Sequence, residues 1–146
     1  MQITLNLPHV FYPGSSPKDN ARVLRALLDC MVNINQAYLK DHSALGLYQS
    51  GVVYGRTKIW ETIPALYQRG FGDCKSLTAA LIAEYRNRGI EADPVFRFDY
   101  SKKRPGQINY HILVQTKYGF KDPSKDLGMG VDENAYFNTN DINGAR

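Results

Sequence analysis

The chain has 146 residues, 43% of them hydrophobic and 22% charged, an ordinary composition for a globular protein and a length that suits one domain. No apolar run approaches the roughly 20 residues that cross a bilayer as a helix, and Met1-Gln2-Ile3-Thr4-Leu5-Asn6-Leu7 has neither the basic patch nor the apolar stretch of a secretory signal. The formal net charge of +4 is mildly basic; with no zinc, RNA-binding or helix-turn-helix signature beside it, nucleic acid is not expected as a partner.

Residues 2–7 alternate as a short strand would, and residues 8–16 read as a loop. Ser16-Pro17-Lys18-Asp19 reads as a helix start, with Ser16 to cap, Pro17 at the first helical position and Asp19 to complete a capping box. Val23, Leu24, Leu27, Leu28, Met31, Ile34 and Tyr38 follow helical spacing, which predicts a long core helix to about residue 39. Residues 42–56 are turn-rich, with Gly46, Gly51 and Gly55 beside Tyr48 and Tyr54. A short helix is expected from Glu61 or Pro64 to Gln68. Another helix opens at Cys74, with Leu77, Leu81 and Tyr85 on one face and Gly89 as its stop. Residues 90–98 and 107–115 read as strands, joined by a loop carrying Lys102-Lys103-Arg104-Pro105-Gly106. A turn at 116–119 leads to a short strand over 120–122, and the polar tail from residue 125 has Ala135-Tyr136-Phe137 as its anchor. Helices followed by an antiparallel meander make an α+β plan.

The two cysteines sit in different contexts. With no secretory signal, a disulfide between them is not expected. Cys30, within Leu27-Leu28-Asp29-Cys30-Met31-Val32, reads as an inert core thiol. Cys74 follows the glycine-rich Arg69-Gly70-Phe71-Gly72-Asp73 and opens a helix, where unpaired N–H groups and a partial positive charge favour an anion. His111 lies 37 residues on, sharing a strand face with Asn109 and Leu113, and Asp122 another 11 beyond. Singly, each has a plain explanation: buried thiols are common, a strand histidine can be held by a core hydrogen bond, and Asp-Pro-Ser opens turns. Together they mean more. The hairpin returns Asp122 beside His111, where facing side chains stand about 5 Å apart, and thiol, imidazole and carboxylate compose a nucleophilic triad. His9, in a proline-flanked loop, and His42, at a helix end, fit that role less well. No spacing of the Cys-x-x-Cys kind points to a metal.

Gly72-Asp73-Cys74 opening a helix, Tyr110-His111-Ile112-Leu113-Val114 on a strand and Gly119-Phe120-Lys121-Asp122-Pro123 after a turn resemble the transglutaminase-like superfamily. That superfamily has a papain-like fold and includes transglutaminases, cysteine peptidases and amidases. The likeness spans residues 69–124, with its three blocks in the family's order. Upstream, Leu47-Tyr48-Gln49-Ser50-Gly51-Val52-Val53-Tyr54 and Trp60-Glu61-Thr62-Ile63-Pro64 are similar to small members encoded by tailed phages and prophages. The resemblance implies Cys74 as nucleophile, His111 as base and then acid, Asp122 as the orienting group, and the Cys74 N–H as one oxyanion donor. It leaves two candidates for the second donor. Gln68 has the papain-type spacing, six residues before the cysteine, and Trp60 comes from the transglutaminase side; a solvated helix position is the plainer reading of Gln68. Animal transglutaminases carry Trp directly after the cysteine where this chain has Lys75, which favours hydrolysis over cross-linking.

The expectation is one transglutaminase-like domain over residues 1–146, α+β, with the nucleophile helix packed on an antiparallel sheet. It would act as a cysteine peptidase or amidase on a peptide or other amide, without metal or cofactor and with no membrane partner. A cytoplasmic location follows, in the host cytoplasm or on a virion if the chain is phage-encoded. The alternative from another class is a non-catalytic phage-type structural, assembly or binding protein that retains the fold and meets a virion or assembly partner. An intact triad weighs against it. Peptide, peptidoglycan amide and isopeptide all stay open as substrates.

Overall fold

Ser16 and Pro17 start the first helix as their chemistry directs: the Ser16 hydroxyl accepts from the Asp19 N–H at 3.1 Å, and Pro17 takes the first helical position. The computed structural model describes residues 14–130, together with Thr4, Asn6, Phe11 and the backbone of Asp141 and Ile142. The expected strand over residues 2–7 lies outside the described residues save for Thr4 and Asn6, and so does the anchor at 135–137. Helix α1 spans Pro17–Asp41.

The buried stripe of α1 differs from the apolar one read in the sequence. Ala21, Arg25, Leu28, Met31, Val32 and Asn35 face inward, whereas Ile34 is 50% exposed. Cys30 is exposed too, so it is not the core thiol expected. The reason is phase. At about 3.6 residues per turn, Cys30 and Ile34 fall on the side opposite Leu28, Val32 and Asn35. Arg25 and Asn35 hold their inward positions because each has a partner. Arg25 bonds Asp93 at 2.8 Å and reaches Asp29 at 3.4 Å, and Asn35 Oδ1 accepts from the Ile63 N–H at 2.8 Å.

After a 3-10 turn at Leu47–Gln49 the chain forms β1 (Val53–Tyr54), α2 (Ile63–Arg69), β2 (Phe71–Gly72) and α3 (Cys74–Asn87). Strands β1 and β2 pair in parallel, Val53 with Phe71 and Tyr54 with Gly72. The two glycines before Cys74 set the chain's path. Gly70 ends α2 at φ 80°, a left-handed conformation that costs glycine little. At Gly72 a Cβ would come within 2.5 Å of the buried Leu66 side chain.

The remaining strands β3 (Ala92–Tyr100), β4 (Ile108–Thr116), β5 (Gly119–Lys121) and β6 (Asp141–Ile142) build an antiparallel sheet in the order β5-β4-β3-β6. The fold is thus mixed α+β with a small antiparallel sheet. The last hairpin strand ends at Lys121, short of the expected Asp122. Asp122 instead caps a helical turn, α4 (Pro123–Asp126), whose first residue has no N–H to lend a strand ladder. Helix α3 lies between α1 on one side and β3 and β4 on the other. Every residue from 76 to 83 is buried. Among the described residues no helix is long and apolar enough to cross a membrane.

Leu28, fully buried between α1 and its neighbours, gives a direct check on this core. Leu28→Ala is expected to lose about 2–5 kcal/mol, seen as a lower urea midpoint at unchanged slope. An unaltered midpoint would mean that α1 does not pack as described.

Candidate active site

Asp73 starts α3 by accepting the Lys75 N–H at 3.3 Å, which places Cys74 at the first helical position. There the Cys74 N–H has no partner within the helix. The cap is itself anchored. Lys75 forms an ion pair with Asp73 and donates to the Thr57 carbonyl at 2.7 Å, with the Trp60 ring 6.0 Å from its ammonium. Burial pushes the Asp73 carboxyl above its ordinary value, and the hydrogen bond and charge of Lys75 offset only part of that rise. A further bond ties the preceding segment to the helix: the Glu61 N–H donates to Ser76 Oγ at 3.1 Å. Glu61 in turn holds Arg69 at 2.7 Å, so α2 is clasped at its C-terminal end.

His111 sits in the middle of β4, opposite Arg97 and only 2% exposed. Its Nε2 meets Asp122 Oδ2 at 2.9 Å. The β4–β5 register pairs Val114 with Lys121 and Thr116 with Gly119. Continued by one pair, it sets Asp122 across from Leu113, on the face that Leu113 shares with His111. The contact is therefore the diagonal one of an antiparallel ladder rather than the directly facing one. The other carboxylate oxygen, Oδ1, accepts the Lys125 N–H at 3.1 Å. One residue both caps α4 and holds the imidazole.

The ring and the thiol come together because α3 seats on β4. Thr78, one turn into the helix from Cys74, donates its hydroxyl to the Ile112 carbonyl at 3.0 Å. Ile112 is the residue after His111. Burial works against a charged imidazole here, but hydrogen bonds to Asp122 and Cys74, with the charges of both, outweigh it and raise His111 to about 9. For Asp122 burial again raises, while the hydrogen bond and charge of His111 win and hold the carboxyl below its ordinary range. With Nε2 on Asp122, the ring's other nitrogen, Nδ1, is left for the thiol.

Cys74 and His111 line an open cleft of about 1020 Å³. Its walls come from the segment after β1, from the start of α3, and from the β3–β4 hairpin and its loop. Asp122 stands behind His111, outside the lining. Neither proposed second oxyanion donor is among the lining residues. Gln68 is exposed on α2, and Trp60 packs against the core and Lys75. Sequence reading missed Thr78, Ser76 and Glu61. Only Thr78 left a signal, sharing the face of Cys74 four residues on. Compared with known proteins, the chain matches no family model, no curated protein and no solved structure.

The His111 value has a stability consequence. An unfolded histidine titrates near 6.5, and this ring near 9. Below about pH 6.5 the ring is charged in both states and its stabilisation is fully present; it fades as pH rises through about 9. Asp122, shifted the opposite way, stabilises above the ordinary carboxylate value of 3.8 and loses that contribution as pH falls through its lower folded value. The stability difference between wild type and His111→Gln, from urea midpoints, should shrink steadily from pH 6.5 to 9.5. A constant difference would contradict the assigned charge state.

Proposed function

We propose that this chain is a cysteine hydrolase of the transglutaminase-like, papain-like type, cleaving a peptide or other amide bond through an acyl-enzyme on Cys74. The observation that carries this reading is the 2.9 Å bond from Asp122 to a histidine on which Cys74 also acts. A nucleophile helix seated on an antiparallel sheet supports the fold side of the same reading, as does the order of the three motif blocks.

In the acylation step the Cys74 thiolate attacks the amide carbonyl carbon, forming a C–S bond and moving the carbonyl electron pair onto oxygen. The Cys74 N–H, which has no acceptor within the helix, would receive that oxyanion. His111, carrying the proton taken from the thiol, delivers it to the amide nitrogen. The C–N bond breaks and the amine leaves, with a thioester remaining. Neutral His111 then takes a proton from water, the hydroxide oxygen bonds to the acyl carbon, and the sulfur departs as thiolate. The carboxylic acid product is released and the thiolate–imidazolium pair is restored. Asp122 touches no substrate in this scheme. It fixes the ring's rotation and leaves Nδ1 toward the sulfur. An amine in place of water would give acyl transfer at the same site.

The test is the rate of Cys74 alkylation by iodoacetamide against pH, in a Cys30→Ser background because Cys30 is exposed. An activated pair gives a rate plateau extending well below pH 7, and His111→Ala abolishes it. A rate rising only above about pH 8 and indifferent to His111 would sink the enzyme. It would favour a non-catalytic assembly or binding protein that keeps the fold.

A further inference from the structure

The cleft around Cys74 and His111 holds the chain's excess charge. Five of its lining residues are basic (Arg56, Lys58, Lys75, Lys102 and Lys103), and one is acidic, Asp73. That surplus of four positive charges equals the formal net charge of the whole sequence, so the rest of the chain is balanced. Away from the cleft, Arg22, Arg25, Arg69, Arg86 and Arg88 are each matched by a carboxylate. Within it, Asp73 is committed to Lys75 and to capping α3. Lys58 and Lys103 have no ion-pair partner among the described residues, and both are exposed.

The basic groups come from separate parts of the chain. Arg56 and Lys58 follow β1, while Lys102 and Lys103 lie in the loop between β3 and β4. Nucleophile and histidine line the same concavity. Basic walls around a cleft attract anions and raise their local concentration. An amide flanked by neutral or basic groups would gain nothing from them.

We propose that the substrate of this site is an anionic one: a carboxylate-bearing peptide whose acidic groups lie along the cleft that holds Cys74 and meet Lys58 and Lys103 there. The proposal rests on Cys74 being the nucleophile described above and adds the class of acyl compound it takes. A peptide suits the cleft better than a nucleic acid does. The cleft is also lined by hydrogen-bonding side chains such as Ser101, Gln107 and Asn109, and the chemistry of a thiol–imidazole pair is acyl transfer, for which a nucleic acid has no amide in its backbone.

Two alkylating reagents of nearly the same size separate charge from reactivity. In the Cys30→Ser protein, Cys74 alkylation is measured with iodoacetate and with iodoacetamide at low and high salt. Replacing Lys58 and Lys103 together by glutamate is expected to lower the iodoacetate-to-iodoacetamide rate ratio about fivefold at low salt, with the effect fading at high salt. Lys18→Glu with Lys40→Glu makes the same change in net charge on exposed α1 positions outside the cleft and should leave the ratio alone. A second arm measures protection of Cys74 from iodoacetamide by acetylated Glu-containing peptides, their Gln analogues and a single-stranded oligonucleotide. Free and amidated C-termini distinguish a terminal carboxylate from side-chain ones. Protection by the Glu peptides at concentrations at least about fivefold below the Gln analogues supports the proposal.

An activated thiol with an unmoved ratio and equal protection by Glu and Gln peptides overturns the anionic substrate while leaving the hydrolase standing. Protection by the oligonucleotide alone overturns it in favour of nucleic acid. A thiol with no acid plateau overturns the hydrolase, and the substrate with it, whatever anion the cleft binds.

Discussion

Thr78 donates its hydroxyl to the Ile112 carbonyl where α3 lies against β4, and on this contact the position of every group at the site depends. The helix carries Cys74 and the strand carries His111, so a shift of one past the other would part sulfur from ring. Both Thr78 and Ile112 are buried. Leaving either polar atom without a partner would cost about 1–3 kcal/mol, which penalises a slip in register. Around that bond the small residues Ala79, Ala80 and Ala83 are almost wholly buried, letting α3 sit close between α1 and the sheet. The core serves the site by fixing one distance.

Charge is arranged on the same frame. A buried cation is expensive unless paired, and a buried pair adds little net stability while making the loss of either partner costly. His111 and Asp122 make such a pair, braced by the Asp122 bond to the Lys125 N–H. A second pair, Asp73 with Lys75, flanks Cys74 and neutralises the helix cap. The remaining charged lining of the cleft is basic, and the imidazole is oriented by a carboxylate that lies outside that lining.

How much of this was legible in the residues varies with the kind of information. The helices at 17 and 74 announced themselves by Ser16-Pro17, by the glycine-rich turn before Cys74 and by apolar spacing, and they begin where those signals stand. The β3–β4 hairpin was plain from two strand-like runs about a basic turn. The stripe of α1 was misjudged at Cys30 and Ile34 because an apolar count overlooks Arg25 and Asn35, which are buried through partners at 93 and 63. Such partners are distant in sequence. Cys74, His111 and Asp122 could each be nominated from local chemistry, and topology suggested their approach. The diagonal geometry of the Asp122 contact depends on where β5 stops, which Pro123 decides. The parallel β1–β2 pair left no trace, since two-residue strands have no period to read.

The central claim is that His111 is a buried cation held between Asp122 and Cys74, and NMR titration of its ring tests it most directly. With the three histidines of the chain assigned by substitution, the ring carbon and nitrogen shifts are followed from pH 5 to 10. The account predicts that His111 stays protonated well above the ordinary range, with its midpoint near 9, and that the midpoint falls in both Asp122→Asn and Cys74→Ser. A His111 that titrates near 6.5 and is unmoved by either substitution would contradict it.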